Sequence, residues 1–181
     1  MLCGFVRSTR APAPARAGTG TRAVTRVSAV NDAVTVHVEA PPERVWQLVS
    51  DVTRIGSYSP ETFEAEWLDG ATGPEVGARF RGHVRRNGRG PTYWTTCEVS
   101  ECEPGRTFAF RVLIGDRPAN TWGYRLEPTS SGGTDATEFF ELAPTLMNRV
   151  YWALLGWARG RTNRKGMHTT LERIKAEVEG G

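Results

Sequence analysis

Residues 33–49 read AVTVHVEAPPERVWQLV, and this run places one strand directly before one helix. Three valines alternate with polar residues at its start, which is the pattern of a β-strand with one buried face. Two consecutive prolines end the strand, and the second suits the first turn of a helix. A stripe of apolar residues follows at helical spacing. The pattern predicts a strand over Val34–Val38 and a helix over Pro41–Val49.

The chain beyond this helix is dominated by strand patterns. Strand-like segments run from about Phe63 to Leu142, separated by turn signals such as Asn87-Gly88 and Pro104-Gly105. Short turns between neighbouring strands imply an antiparallel meander. A long helix is predicted from about Thr145 to Glu179, and a second short helix or turn is predicted just before Pro60.

The first 30 residues have a different composition from the rest of the chain. They are rich in Ala, Pro, Arg, Gly and Thr and show no steady apolar period. Such a segment cannot bury enough apolar surface to offset the entropy lost on ordering. An organelle transit peptide and an upstream extension from a misassigned start codon are the alternatives. We expect a disordered extension over residues 1–30 and one folded ligand-binding domain over 31–181.

The net charge of the folded part argues against nucleic-acid binding. The chain has 23 Lys and Arg residues against 20 Asp and Glu residues, with a pI of about 9.0. Five of the arginines and none of the acids lie before residue 32, which leaves 18 basic and 20 acidic residues in the remainder. A protein that binds nucleic acid needs its positive charge on the folded surface. We therefore expect no nucleic-acid partner.

Sequence motifs for catalysis and metal binding are missing. The three cysteines include no CxxC pair, which favours a reducing, cytoplasmic location. No apolar run is long enough to cross a membrane. No two histidines share ligand spacing with a carboxylate, so we expect no metal and no cofactor. The HExxH, P-loop and GxSxG signatures are also absent from the sequence.

Several residues in the middle of the final helix have unusually small side chains. Ala153, Gly156 and Gly160 lie there beside Trp157, although glycine inside a helix costs about 1 kcal/mol relative to alanine. Small residues leave space between a helix and the sheet below it. One interpretation is close helix–sheet packing without a void. The interpretation we favour is an apolar ligand cavity under the middle of the helix.

Strand alternation selects the residues that would line this cavity. The expected lining residues are Trp67, Phe80, Trp94, Phe108, Phe110, Trp122, Tyr124 and Phe140 from the strands, with Ala153, Gly156, Trp157 and Gly160 from the helix. Glu138 is expected to point inward if Phe140 does, which makes it the candidate buried acid or base. The alternative exposes Glu138 and turns Thr137 and Phe139 inward, because a slip of one residue reverses every side chain.

Five segments carry a resemblance to a known superfamily. They are APPERVW at 40–46, GARFRG at 77–82, WTTCEV at 94–99, EPGR at 103–106 and LERIK at 171–175. The chain resembles the START-like, or Bet v 1-like (SRPBCC), superfamily over roughly residues 33–179, and its polyketide cyclase/dehydrase branch in particular. The resemblance implies an α+β helix-grip fold, in which a curved antiparallel sheet wraps around the long C-terminal helix and encloses an apolar cavity.

Three functions remain open on this basis. The first is binding of a hydrophobic small molecule, such as a lipid, an isoprenoid or a polyketide, without chemistry. The second, implied by the resemblance, is an aromatase/cyclase acting on a polyketide, which an inward Glu138 with a perturbed pKa would favour. The third is a partner-binding or membrane-surface module that uses the apolar segment Leu146–Trp157 and the basic residues after it.

The convex face of the predicted sheet has its own basic row. Arg79, Arg81 and Arg85 lie on one face of a strand with His83. These residues could meet acidic lipid headgroups or a protein partner. We favour a solvated face, in which this row pairs across strands with the acidic residues near Glu64.

Overall fold

The computed structural model describes residues 32–88, 90–143 and 146–181, and no side chain is described at 87 or at 146–160. The predicted extension over residues 1–30 and the apolar segment Leu146–Trp157 therefore lie outside the described side chains. The secondary structure elements are β1 Asp32–Val38, α1 Pro42–Val49, a 3₁₀ turn Val52–Arg54, α2 Ile55–Tyr58, β2 Thr62–Trp67, β3 Arg79–Val84, a second 3₁₀ turn Arg86–Gly88, β4 Tyr93–Glu103, β5 Thr107–Ile114, β6 Arg117–Pro128, β7 Thr134–Leu142 and α3 Leu146–Gly180.

The seven described strands form one antiparallel sheet in the order β1-β7-β6-β5-β4-β3-β2. The strands from β2 to β7 follow one another as a meander, as the short turns predict. The first strand instead pairs with the last one, so α1 and α2 carry the chain from one edge of the sheet to the other. The single long helix α3 lies across the curved sheet, and the predicted α+β helix-grip architecture is confirmed.

The C-terminal half of α3 forms the core with α1. Leu171 and Ile174 are fully buried, and they belong to the same apolar cluster as Val45 and Leu48 of α1. Two polar contacts hold this end of the helix against β1. Lys175 donates a hydrogen bond to the carbonyl of His37 at 2.8 Å, and the carboxylate of Glu179 accepts one from a main-chain amide just after β1. The helix is therefore anchored at its C-terminal half.

A β-bulge changes the predicted faces of β2. The register between β2 and β3 shifts between Thr62 and Glu64, so that Phe63 and Glu64 lie on the same outer side. Simple alternation along β2 would place Phe63 on the same face as Ala65 and Trp67, and the bulge overturns this pattern. Phe63 is 44% exposed, and its ring lies 4.4 Å from the ring of His83, centre to centre.

The basic residues on the outer face of β3 form the cross-strand pairs that we favoured. Trp94 lies on the same outer face of the sheet. Arg81 forms an ion pair with Glu66, and a ring nitrogen of His83 lies 3.3 Å from a carboxylate oxygen of Glu64. Trp94 stacks on His83 with ring centres 4.4 Å apart. The prediction that Trp94 lines a cavity is wrong, because its cross-strand partner is outward-facing His83 and it is 40% exposed.

Candidate ligand cavity

A cavity of about 270 Å³ lies between the sheet, α2 and α3. The sheet contributes β2 to β7, the α2 region contributes Ile55 and Pro60, and the described part of α3 contributes residues from Thr162 to Thr170. Six residues that the sequence singles out are on this wall: Phe80, Phe110, Trp122, Tyr124, Glu138 and Phe140. The cavity reaches the surface where exposed residues such as Tyr93 and Arg86 form part of its wall.

Strand register brings three of these aromatic residues into one row. Phe110 on β5 is directly opposite Trp122 on β6, which is in turn opposite Phe140 on β7. The rings of Trp122 and Phe140 are 4.7 Å apart, centre to centre. Directly paired residues of antiparallel strands project from the same face of a sheet, so the row forms one continuous apolar floor. We call these three residues the aromatic row.

Two predicted lining residues belong to the packed core instead. The ring of Trp67 packs edge-on against that of Phe80, with ring centres 5.7 Å apart. The ring of Phe108 packs edge-on against that of Trp46 in α1, with ring centres 6.1 Å apart. Both are on the inner face, as alternation predicts, but neither is on the wall of the cavity. The physical reason for Phe108 is that α1 covers this part of the sheet. The side chains of Ala153, Gly156, Trp157 and Gly160 lie outside the described residues.

Glu138 is buried on the inner face of β7. It is 7% exposed, and its hydrogen-bonding neighbours are Tyr124 on the adjacent strand and Thr170 on α3. Burial raises the pKa of Glu138 to about 8, and the hydrogen bonds with the two hydroxyl groups lower it only part of the way back. Glu138 is therefore mostly protonated at neutral pH. Phe139, which would face inward if Glu138 were exposed, lies on the opposite face of the sheet beneath the guanidinium of Arg125.

The Thr170 hydroxyl group is a weak stabiliser of an ionised Glu138. Its oxygen also lies 3.1 Å from the carbonyl of Gly166, one helical turn earlier. A hydroxyl group has one hydrogen, so this hydrogen is divided between two acceptors. Burial also raises the pKa of Tyr124, which therefore keeps its proton and acts as a neutral hydrogen-bonding group. The group around Glu138 is consequently uncharged at neutral pH.

The cavity wall includes two asparagines that sequence reasoning missed. Asn163 on α3 is 5% exposed, and Asn120 on β6 lies two residues before Trp122. A heptad-like stripe along the final helix would include Arg164, but the inward face of α3 contains Asn163 instead. Arg164 instead points outward and forms an ion pair with Asp32 at 2.7 Å. The available signal for Asn163 was its spacing of four residues from Met167, because residues four apart lie on the same face of a helix and Met167 is buried.

Asn120 is missed for a different reason. It is next to a register shift between β5 and β6, at which Val112 pairs with Asn120 and Leu113 pairs with Pro118. The shift lies beyond Asn120 as seen from Trp122, so alternation along β6 does place Asn120 inward. Asn120 was missed because the expected lining consists of apolar and aromatic residues, and Asn120 is polar.

The described residues offer few other reactive groups. Within them, no three His, Cys, Asp or Glu side chains are placed so that they could hold a metal ion. Cys97 is buried, and this burial raises the pKa of its thiol to about 12, so the thiolate is not formed near neutral pH. Among the helices described, none combines the length and apolar character needed to span a bilayer. The chemistry of this cavity therefore depends on Glu138, the neighbouring hydroxyl groups and the two amides.

Comparison with known proteins places the chain in a family. A family model described as polyketide cyclase / dehydrase and lipid transport matches residues 29–179. The polyketide-cyclase-like protein Cgl2372 from Corynebacterium glutamicum is 32% identical, with a TM-score of 0.52, and the alignment covers 81% of this chain and 90% of that one. No curated protein matches the chain significantly.

Two more distant structures share the fold alone. Protein DR_A0006 from Deinococcus radiodurans is 19% identical with a TM-score of 0.59, covering 83% of this chain and 98% of that one. The di-domain ARO/CYC BexL of the BE-7585A biosynthetic pathway is 18% identical with a TM-score of 0.61, covering 81% of this chain and 45% of that one. With its family model matched over nearly the whole described region and its helix-grip fold, this chain belongs to the polyketide cyclase/dehydrase and lipid transport family of the START-like superfamily.

Proposed function

We propose that this protein binds one hydrophobic small molecule, of lipid, isoprenoid or polyketide-like character, in the cavity between sheet and α3. The observation that carries the proposal is the aromatic row, which forms a continuous apolar floor in a cavity of about 270 Å³. Ligand pockets generally measure about 300–1,000 Å³ and are mostly apolar with a few polar groups. The described cavity is near the lower limit, which favours a compact ring system over a long acyl chain.

The size of the cavity also limits the affinity that apolar contact can supply. A two-ring ligand that buries about 250 Å² of apolar surface gains about 6 kcal/mol at about 25 cal/mol per Å². This corresponds to a dissociation constant of tens of micromolar before the entropy of association is subtracted. Tighter binding requires hydrogen bonds to the polar groups on the wall.

Filling the cavity from α3 tests this proposal. A Cβ atom added at Gly166 would meet no heavy atom within 4 Å, and Gly166 is on the cavity wall. We expect Gly166→Phe to weaken binding of 2-naphthol by more than tenfold, measured by saturation-transfer NMR titration. The free energy of unfolding should not fall, because replacing a glycine inside a helix recovers up to about 1 kcal/mol.

Gly166→Ala is the matched control for this experiment. It provides at least as large a gain in helix stability, because alanine has the higher helix propensity, but it adds only one methyl group to the cavity. Wild-type affinity for 2-naphthol is therefore expected. Unchanged binding by the phenylalanine variant would show that the ligand occupies another site. Failure of the wild-type protein to bind 2-naphthol or any other two-ring probe would contradict the proposed function itself.

The position and raised pKa of Glu138 favour a second candidate function, an aromatase/cyclase. A protonated Glu138 can donate its proton to a ketone oxygen, which promotes loss of an α-proton, and the resulting carboxylate can accept that proton. The enol carbon then attacks a second ketone of the same molecule, and loss of one water completes an aromatic ring. The fold shared with an ARO/CYC protein is consistent with this chemistry.

This candidate predicts a large effect of one substitution. Heptane-2,4,6-trione closes to orcinol with loss of one water, and the wild-type protein should accelerate this over the spontaneous rate. We expect Glu138→Gln to lower the protein-dependent rate by about 100-fold or more, because the amide cannot transfer a proton. Orcinol would be measured by liquid chromatography with mass spectrometry. Equal rates for the two proteins would leave ligand binding as the function.

A further inference from the structure

Unpaired polar atoms are concentrated in the cavity. In the part of the chain that the structure describes, five buried side-chain oxygen or nitrogen atoms have no hydrogen-bond partner. Three of them are Asn120 Oδ1, Glu138 Oε2 and Asn163 Nδ2, and all three residues are on the cavity wall. An unpaired buried polar group costs about 1–3 kcal/mol, so native proteins retain few of them without a functional reason.

These three groups lie on two opposite sides of the aromatic row. The row runs across the strands, whereas the inward residues along β6 are Asn120, Trp122 and Tyr124, and Tyr124 is directly opposite Glu138 on β7. Trp122 therefore separates Asn120 from the pair formed by Tyr124 and Glu138. Four residues of strand at about 3.4 Å each span about 14 Å between the main-chain positions of Asn120 and Tyr124.

The polar residues of α3 that face the cavity follow the same order along the helix as the polar residues of β6 do along the strand. Thr170 contacts Glu138, and Asn163 lies seven residues earlier, which is about 10 Å along the helix axis. The direction follows from Arg164, which pairs with Asp32, because Asp32 is the cross-strand partner of Phe140. Asn163 is therefore displaced from Glu138 toward the side of the row where Asn120 lies.

The cavity thus has an amide pole, formed by Asn120 and Asn163, and an acid pole, formed by Glu138 with Tyr124 and Thr170. Resting on the proposed function, we propose that the ligand is a flat, uncharged ring system with a hydrogen-bonding oxygen at each end, such as a polycyclic diol, hydroxyketone or diketone. The aromatic row between the poles stacks against the rings, and each pole binds one terminal oxygen.

The chemistry of the poles defines the ligand further. The unpaired amide atoms are an acceptor, Asn120 Oδ1, and a donor, Asn163 Nδ2, so the amide pole binds either a hydroxyl or a carbonyl oxygen. The acid pole contains a carboxyl group that is neutral near pH 7 and can also donate or accept. Neither pole carries a positive charge that would compensate a buried carboxylate, and burying an uncompensated ion is strongly unfavourable. Both ends of the cavity therefore select against a carboxylate on the ligand.

A series of naphthalenes tests the two poles separately. Naphthalene, 2-naphthol and naphthalene-2,6-diol share one ring system and carry zero, one or two terminal oxygens. We expect each added oxygen to tighten binding about fivefold or more, as a neutral hydrogen bond to a buried site does. Asn163→Leu should reduce the affinity of the diol to that of 2-naphthol and leave naphthalene binding unchanged or tighter, measured by isothermal titration calorimetry.

Two further variants keep the test decisive. Asn120→Leu removes the same pole from the sheet side if Asn163→Leu does not fold. His168→Gln, at an exposed position of α3 outside the cavity wall, should preserve the whole series. A diol that binds the wild-type protein no more tightly than 2-naphthol would overturn the two-pole inference and leave the proposed function intact. Binding of none of the three compounds would overturn both.

Discussion

Glu138→Gln is expected to stabilise the protein by several kcal/mol at pH 9 and to leave its stability at pH 4.5 nearly unchanged. Burial raises the pKa of Glu138 from 4.5 to about 8 in the folded state. Between these values the unfolded chain releases the proton and the folded protein keeps it, so the free energy of unfolding falls as pH rises. The difference between about 8 and 4.5 corresponds to a loss of roughly 5 kcal/mol, an upper value.

The neighbours of Glu138 do not titrate in this range. Tyr58 and Tyr124 both face it, and both remain neutral because burial raises the pKa of each phenol. Urea unfolding at pH 4.5, 7 and 9 would measure the effect, and the stability of the wild type should fall with pH much more steeply than that of the variant. Glu127→Gln, at an exposed position of β6, is the control. Parallel pH profiles for wild type and Glu138→Gln would contradict the burial of an uncompensated carboxyl group.

Gly56→Ala is expected to lower the free energy of unfolding by about 3 kcal/mol or more, because a side chain at this position has no space. Gly56 lies in α2, and a Cβ atom there would overlap the main-chain carbonyl oxygen of Phe63 at the bulge in β2. Main chain cannot rotate away as a side chain can, so α2 and β2 must separate. The same movement displaces Ile55 and Pro60 from the cavity wall, and binding of 2-naphthol should weaken as well.

Gly73→Ala is the matched control for Gly56→Ala. A Cβ atom at Gly73 meets nothing within 4 Å, and its φ is not one of the positive values that strain other residues. We expect this variant to remain within about 0.5 kcal/mol of wild type. Thermal and urea unfolding of the three proteins would make the comparison. Equal stabilities for the two variants would mean that α2 does not pack tightly on β2.

Local patterns were sufficient for the architecture because each element carries its own signal. The alternation at Val34–Val38, the double proline after it and the long C-terminal helical pattern all concern residues close together in sequence. The helix was predicted over Thr145–Glu179 and spans Leu146–Gly180. Alternation also placed Phe110, Trp122 and Phe140 on one face, and their register shows that they form a row.

Two side chains lie on the face opposite to the one that alternation suggests. Trp94 is in regular register with β3, and it follows the aromatic Tyr93, so alternation alone left open which of the two faces inward. Phe63 faces outward because of the bulge in β2. One extra residue in a strand reverses the face of everything beyond it, and nothing in the local composition marks where the extra residue is. The helix stripe failed in a related way, since Asn163 rather than Arg164 faces the sheet and a rotation of 100° per residue separates them.

By itself, the sequence determined the order of the elements and the inner face of most strands, because both depend on residues within a few positions of each other. Only the tertiary structure decided which inward residues contact a cavity and which are covered. Phe108 is packed beneath α1, whereas Trp122 is open to the space under α3. The polar poles depend on distance in three dimensions, since Asn120, Glu138 and Asn163 come from three elements that meet only after the sheet curves around the helix.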